Sequence, residues 1–152
     1  MISTDMVVDS NGNVTIAGRE TIASSSNNIT FDGVDLDLGT YCLSSSYYRP
    51  FVVRLDGNGN GAWAQGAHSS WNPHGCPTEQ SSVKVASHPD GSATITGTAN
   101  YGLDFDGHQI SHNSNYYRYL AHVDASGNWQ WAKNITQSSN SMGISTDNAI
   151  LE

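Results

Sequence analysis

Val14-Thr15-Ile16-Ala17-Gly18 and Ala93-Thr94-Ile95-Thr96-Gly97 alternate between apolar and small or polar positions. A period of two belongs to an extended strand with one packed face. Phe51–Leu55 and Tyr119–Val123 are two further short apolar runs, and Ala62–Ala64 and Trp129–Ala132 follow them. First strands fall near Met6–Val8 and Val83–Ser87. The pattern therefore predicts two sets of four short strands. Asp9-Ser10-Asn11-Gly12-Asn13, Asp56-Gly57-Asn58-Gly59-Asn60 and Asp124-Ala125-Ser126-Gly127-Asn128 separate first from second, or third from fourth, strands. Such Asn/Asp/Gly clusters accept positive φ and close hairpins.

The two sets are copies of one another. Asn11–Gly18 matches Asp90–Gly97, Phe31-Asp32-Gly33 matches Phe105-Asp106-Gly107, and Tyr47-Tyr48-Arg49 matches Tyr116-Tyr117-Arg118. Phe51–Asp56 matches Tyr119–Asp124, and Asn60–Ala64 matches Asn128–Ala132. Ile144-Ser145-Thr146-Asp147 repeats Ile2-Ser3-Thr4-Asp5, the opening of a third copy. The expected organisation is one repeat over 2–80, a second over 81–143 and the first strand of a third over 144–150, with Leu151-Glu152 read as a cloning scar. Four antiparallel strands per repeat make an all-β chain of two propeller-like blades. Two blades leave sheet edges exposed, which invites self-association.

The order Asp-x-x-Gly-Asn, then Phe-Asp-Gly, then Phe-Val-x-x-Leu-Asp-x-x-Gly-x-x-x-Trp-Ala resembles the bacterial β-propeller repeats of the SBBP type over nearly all of residues 2–150. The resemblance implies a scaffold within a large secreted or surface protein and carries no catalytic residue across. One departure is that Tyr-Tyr-Arg stands before the third strand in both copies, where the family usually has a glycine and an acid.

Composition narrows the function classes. Only 13% of the 152 residues are charged, and 15 are glycine, a balance poor for helices and rich in turns. Six basic residues against 14 acidic give a net charge of −8, which opposes contact with nucleic acid or anionic membranes. No apolar run approaches the ~20 residues of a membrane span. The first residues carry neither the basic nor the apolar region of a signal peptide, so the chain reads as an excised fragment.

The links between second and third strands, Arg19–Pro50 and Thr98–Arg118, are long for hairpins. Short strands are expected within them around Ile29–Phe31 and Leu103–Phe105. These links share a face with the connection between repeats. Cys42 lies in the first of these links and Cys76 in the connection between repeats, so a Cys42–Cys76 disulfide is expected. It would contribute about 2–4 kcal/mol and fit an oxidising setting. Insertions on one face of a repeat array mark a binding face. Trp71, an unmatched loop aromatic, with His74, Tyr47, Tyr48 and Arg49, is the expected ligand-binding set. Trp63 and Trp131 are matched and expected in the core between repeats, with Trp129 on the same face as Trp131.

Asp56, Asn58 and Asn60 begin a D-x-[DN]-x-[DN]-G pattern that could hold calcium. The acid required at the twelfth position is Ala67, and the same residues are those a turn requires. His68, His74, His108 and His112 have no metal-ligand spacing in strands or helices. Asp32, Asp35, Asp37, Asp104 and Asp106 could pair as carboxylates, but they sit at or beside a repeated motif. No cofactor and no enzyme activity are expected. The leading expectation is a non-enzymatic scaffold or recognition module for a protein or carbohydrate ligand. The alternatives are the carbohydrate-binding or catalytic accessory part of a secreted hydrolase, and a structural spacer.

Overall fold

A computed structural model of the chain describes residues 2–21, 29–36, 48–69, 78–79, 83–110 and 116–136. Cys42, Cys76, Tyr47, Trp71, His74, His112, Asp37 and the opening of the third repeat lie outside the described residues. Every regular element among the described residues is a strand. The first repeat contains β1 (Ile2–Val8), β2 (Val14–Thr21), β3 (Ile29–Phe31), β4 (Val34–Leu36), β5 (Tyr48–Leu55) and β6 (Gly61–Gly66). Then follow β7 (His68–Ser69), β8 (Thr78–Glu79), β9 (Lys84–Ser87), β10 (Ala93–Asn100), β11 (Leu103–Phe105), β12 (His108–Ile110), β13 (Tyr117–Val123) and β14 (Trp129–Asn134).

The first sheet is antiparallel in the order β1-β2-β5-β6. The second repeats that order: β9 pairs β10, β10 pairs β13 and β13 pairs β14. β8 extends the line of β9 along the same edge of β10, opposite Ala99 and Asn100. The sheets close no barrel or ring among the described residues.

One turn design closes four hairpins. In each five-residue segment the first residue's amide donates to the fifth carbonyl, and the glycine amide at the fourth position donates to the first carbonyl. These glycines, Gly12, Gly59, Gly91 and Gly127, have φ between +79° and +88°, a region open to glycine at little cost. Asp9, Asp56 and Asp124 hold the first position and accept from the backbone amides two and four residues on. In the fourth turn His88 takes that place, and Asp90 accepts from the amide and hydroxyl of Ser92 instead.

The repeated Phe-Asp-Gly is also a turn. Asp32 and Gly33 have φ of 44° and 84°, and Asp106 and Gly107 have 50° and 90°. Two successive residues at positive φ make the tight hairpins β3–β4 and β11–β12, which match strand twist. Each hairpin folds back onto its own sheet. Phe31 meets Phe51 with ring centres 6.0 Å apart, and Phe105 meets Tyr119 at 5.6 Å.

The two sheets stack, with β9 lying against β1 and β2. Ala17, Val52 and Trp63 from the first sheet join Val85, Ile95, Tyr119 and Val123 from the second in one buried cluster. A second cluster lies on the other side of the first sheet, where Phe51, Val53 and Ala64 pack under Leu36 and its hairpin. β5 is therefore covered on both faces from Arg49 to Arg54, whereas β13 alternates between buried and half-buried.

Two expectations are corrected here. Opposite Arg54 and Leu55 the register moves from Trp63 to Gly61, and opposite His122 and Val123 from Trp131 to Trp129. The extra residue is a bulge, and it breaks the period of two. Trp129 and Trp131 consequently project from opposite faces. Trp129 is buried and meets Phe105 edge-on at 4.9 Å, with its rings 74° apart. Trp131 is 37% exposed and stands outside the core, whereas its match Trp63 is 7% exposed.

Candidate functional site

The contrast between Trp63 and Trp131 locates the site. On the first sheet, Arg54 donates to Thr15 Oγ1 at 3.2 Å and to Asp9 Oδ2 at 2.5 Å. Burial pushes the Asp9 carboxyl up, but the hydrogen bonds from Asn13, Asn11 and Arg54 outweigh it and hold the group below its ordinary value. The second sheet lays two turns over this face. A Cβ on Gly91 would stand 3.5 Å from Arg54 Nη2. The Trp63 indole N–H donates to the Ala125 carbonyl at 3.0 Å. Gly127 lies flat on the indole, and a Cβ there would meet Cγ at 2.8 Å. At the sheet edge, Val85 N donates to Asp5 Oδ2 at 2.9 Å.

The same repeat positions on the second sheet carry other chemistry. His88 stands where Asp9 stands, Thr94 where Thr15 does, and His122 where Arg54 does. Thr94 Oγ1 lies 2.9 Å from His88 Nε2 and 3.1 Å from His122 Nδ1. The hydroxyl has one proton, so it can donate to only one of the two imidazoles. The His122 ring stacks on Trp131 at 5.3 Å with 11° between planes, and His88 and His122 are 5.5 Å apart. The Asp90 carboxyl beside them is held below its ordinary value by the side chain and backbone of Ser92, despite some burial, with the two histidines adding to the effect. Together these groups make an aromatic and imidazole platform in which the imidazoles are half-buried and the indole is exposed among the described residues.

Of the expected ligand-binding set, the two described members, Tyr48 and Arg49, do not lie on this platform. Tyr48 and Arg49 belong to β5 rather than to a link, opposite Thr21 and Glu20. Tyr48 is half-buried and carries the Arg19 guanidinium over its ring at 4.7 Å. Arg49 is 1% exposed, which removes it from any surface contact. Tyr47, Trp71 and His74 lie outside the described residues, as do both cysteines.

The other candidates are tied into turns. Asp56 accepts from the Asn58 and Asn60 amides and from Asn60 Nδ2. The Asn60 hydrogen bonds, side-chain first, pull its carboxyl down. The Asn60 side chain thus offers its nitrogen, not its oxygen, to Asp56. Among the described residues no group of three or more His, Cys, Asp or Glu converges as a metal site. Asp104 accepts from Gly107 N at 2.6 Å and from Gln109 Nε2 at 3.0 Å. Asp35 accepts from Thr30, and Asp32 accepts from Gly61 N. His108 Nε2 is 3.1 Å from the Trp129 carbonyl.

The His88–Thr94–His122 cluster is the part that residue-by-residue reading misses. Its signal is in the repeat alignment, where both histidines replace members of an ion pair. No helix among the described residues is long and apolar enough to cross a membrane. No protein-family model matches the chain, and no curated protein matches it.

Proposed function

We propose that this chain is a pair of propeller-type blades from a secreted or cell-surface repeat protein, acting as a non-enzymatic scaffold that presents a recognition surface for a protein or carbohydrate. One observation carries the reading: two repeats with the same strand order, hairpin and turns stack so that the turns of one cover the aromatic face of the other. Structure of this kind grows by adding units, each burying its neighbour's face. The matched carboxylates Asp56 and Asp124 are turn acceptors, and so is the unmatched Asp104, which agrees with a structural role. The SBBP-type resemblance supports the blade reading and the extracellular setting.

The test is a panel of soluble polysaccharides and peptides, measured for binding by calorimetry and for breakdown by chromatography. Saturable binding without turnover is the expected result. Turnover that vanishes in Asp104→Asn would overturn the non-enzymatic reading.

A further inference from the structure

Among the described residues, the contact between the two sheets uses one face of each; no element packs across the other face of the second sheet, and on the other face of the first Met6 and Val8 stand exposed beside the Leu36 hairpin. We infer that these two remaining faces are complementary, and that a second copy of this chain docks its first sheet onto the His122–Trp131 platform of the first copy. The inference rests on the observed packing and not on the recognition role proposed above.

The receiving face of the internal contact is Thr15, Ala17, Val52, Arg54 and Trp63. Its repeat counterparts are Thr94, Thr96, Leu120, His122 and Trp131, which lie on the second sheet's other face, half-buried apart from the exposed Trp131. The inserting face of the internal contact is Val85, Ala93 and Ile95, with the Gly91 and Gly127 turns. Its counterparts are Met6, Val14 and Ile16, with the Gly12 and Gly59 turns. Met6 is 59% exposed, although Val85 at the matching position is 5% exposed. A Cβ on Gly59 would meet nothing within 4 Å, whereas one on Gly127 would run into Trp63. An apolar inserting face with a flat glycine turn is thus bare at one end of the stack, and an indole is bare at the other.

The two receiving faces differ in polar chemistry. Lys84 replaces Asp5, so the hydrogen bond that Asp5 accepts from Val85 N has no counterpart. The buried Arg54–Asp9 pair is replaced by two imidazoles sharing a hydroxyl. Contact between copies is therefore weaker than contact within the chain. The faces are unlike, so the interface is head-to-tail, which closes a ring or runs on as a filament. With two blades per chain and rings of ~4–8 blades, closure takes about two to four copies.

The experiment is sedimentation velocity on the full chain from micromolar to millimolar concentration, with Trp131→Glu, Met6→Glu and their equimolar mixture. Wild type is expected to associate head-to-tail. Each variant alone should stay monomeric, with self-association weakened by more than about tenfold, a change of about 1.4 kcal/mol. The mixture should form a 1:1 dimer that grows no further, because only one intact face of each kind remains. That recovery also shows that both variants are folded. A wild type monomeric throughout would overturn the inference and leave the platform to another ligand. A variant that associates like wild type, or a mixture that stays monomeric while wild type associates, would overturn it equally.

Discussion

Trp63→Ala and Trp131→Ala remove the same side chain from the same repeat position, and the stack predicts unequal costs. Trp63 is closed in by its own sheet below and by Ala125 and Gly127 above. Truncation there leaves a hollow roofed by a turn, and Trp→Ala changes of this kind cost about 3–5 kcal/mol. The lost hydrogen bond adds little, because Ala125 is exposed and water can take the donor's place. Trp131 has no roof among the described residues and is 37% exposed, so its removal opens no sealed cavity. It forfeits the stack on His122 and part of its area, about 1–2 kcal/mol. With a urea slope of about 2 kcal/mol/M, the midpoint falls by about 1.5–2.5 M for Trp63→Ala and about 0.5–1 M for Trp131→Ala. Equilibrium unfolding at low micromolar concentration, followed by far-ultraviolet circular dichroism, keeps self-association out of the comparison. Equal shifts, or a larger one for Trp131→Ala, would refute the claim that the second repeat covers the first one's tryptophan.

Gly127→Ala and Gly59→Ala form a second matched pair. Both are at φ near +88° and bear the left-handed cost of about 1–2 kcal/mol, but only Gly127→Ala also drives a methyl into Trp63, adding about 1–3 kcal/mol; thermal unfolding of the two variants should differ by that addition. Arg54→Met leaves the half-buried Asp9 without its cation and should cost about 1.5–3 kcal/mol, while Arg54→Met combined with Asp9→Asn, which removes the charge and keeps an acceptor oxygen for the turn, should recover part of the loss; urea unfolding checks both. Asp9, Asp56, Asp90 and Asp124 are each held below the ordinary value of 3.8 in the folded chain. Their contribution is complete above that pH and disappears as the pH falls through the lowered folded values. Melting temperature should therefore drop on acidification below about pH 4, and Asp124→Asn should make that drop shallower.

Strand order was legible because a period of two and repeated turn motifs agree on it. Val14–Gly18 and Tyr119–Val123 were readable as strands, and so were the short hairpin strands near Ile29 and Leu103. The strand limits were less visible. Pro50 reads as a strand boundary because it lacks an amide donor, yet β5 runs through it to Tyr48, paired with Arg19–Thr21. That extension turns Arg49 from a loop contact into a buried residue. The placing of Trp129 fails for a different reason, since a bulge inserts one residue and leaves no apolar mark of its own. The His88–His122 platform depends on two residues 34 positions apart meeting at one threonine. Only aligning one repeat on the other makes that meeting visible.

The Phe-Asp-Gly hairpins also give each repeat a taper. β4 lies against β6, and β12 lies against β14, so both hairpins thicken the sheet at its last strand. At the first strand nothing intervenes, and β9 rests directly on β1. Between the two sheets the β11–β12 hairpin thus sits as a wedge at the last strand, while the first strands meet directly. Leu103, Phe105 and Ile110 fill that wedge, whereas Phe31, Val34 and Leu36 thicken the far side of the first sheet, where no second sheet is described. The volume of the three wedge side chains therefore sets how far apart the last strands of the two sheets are held, independently of the hydrogen bonds that make each sheet.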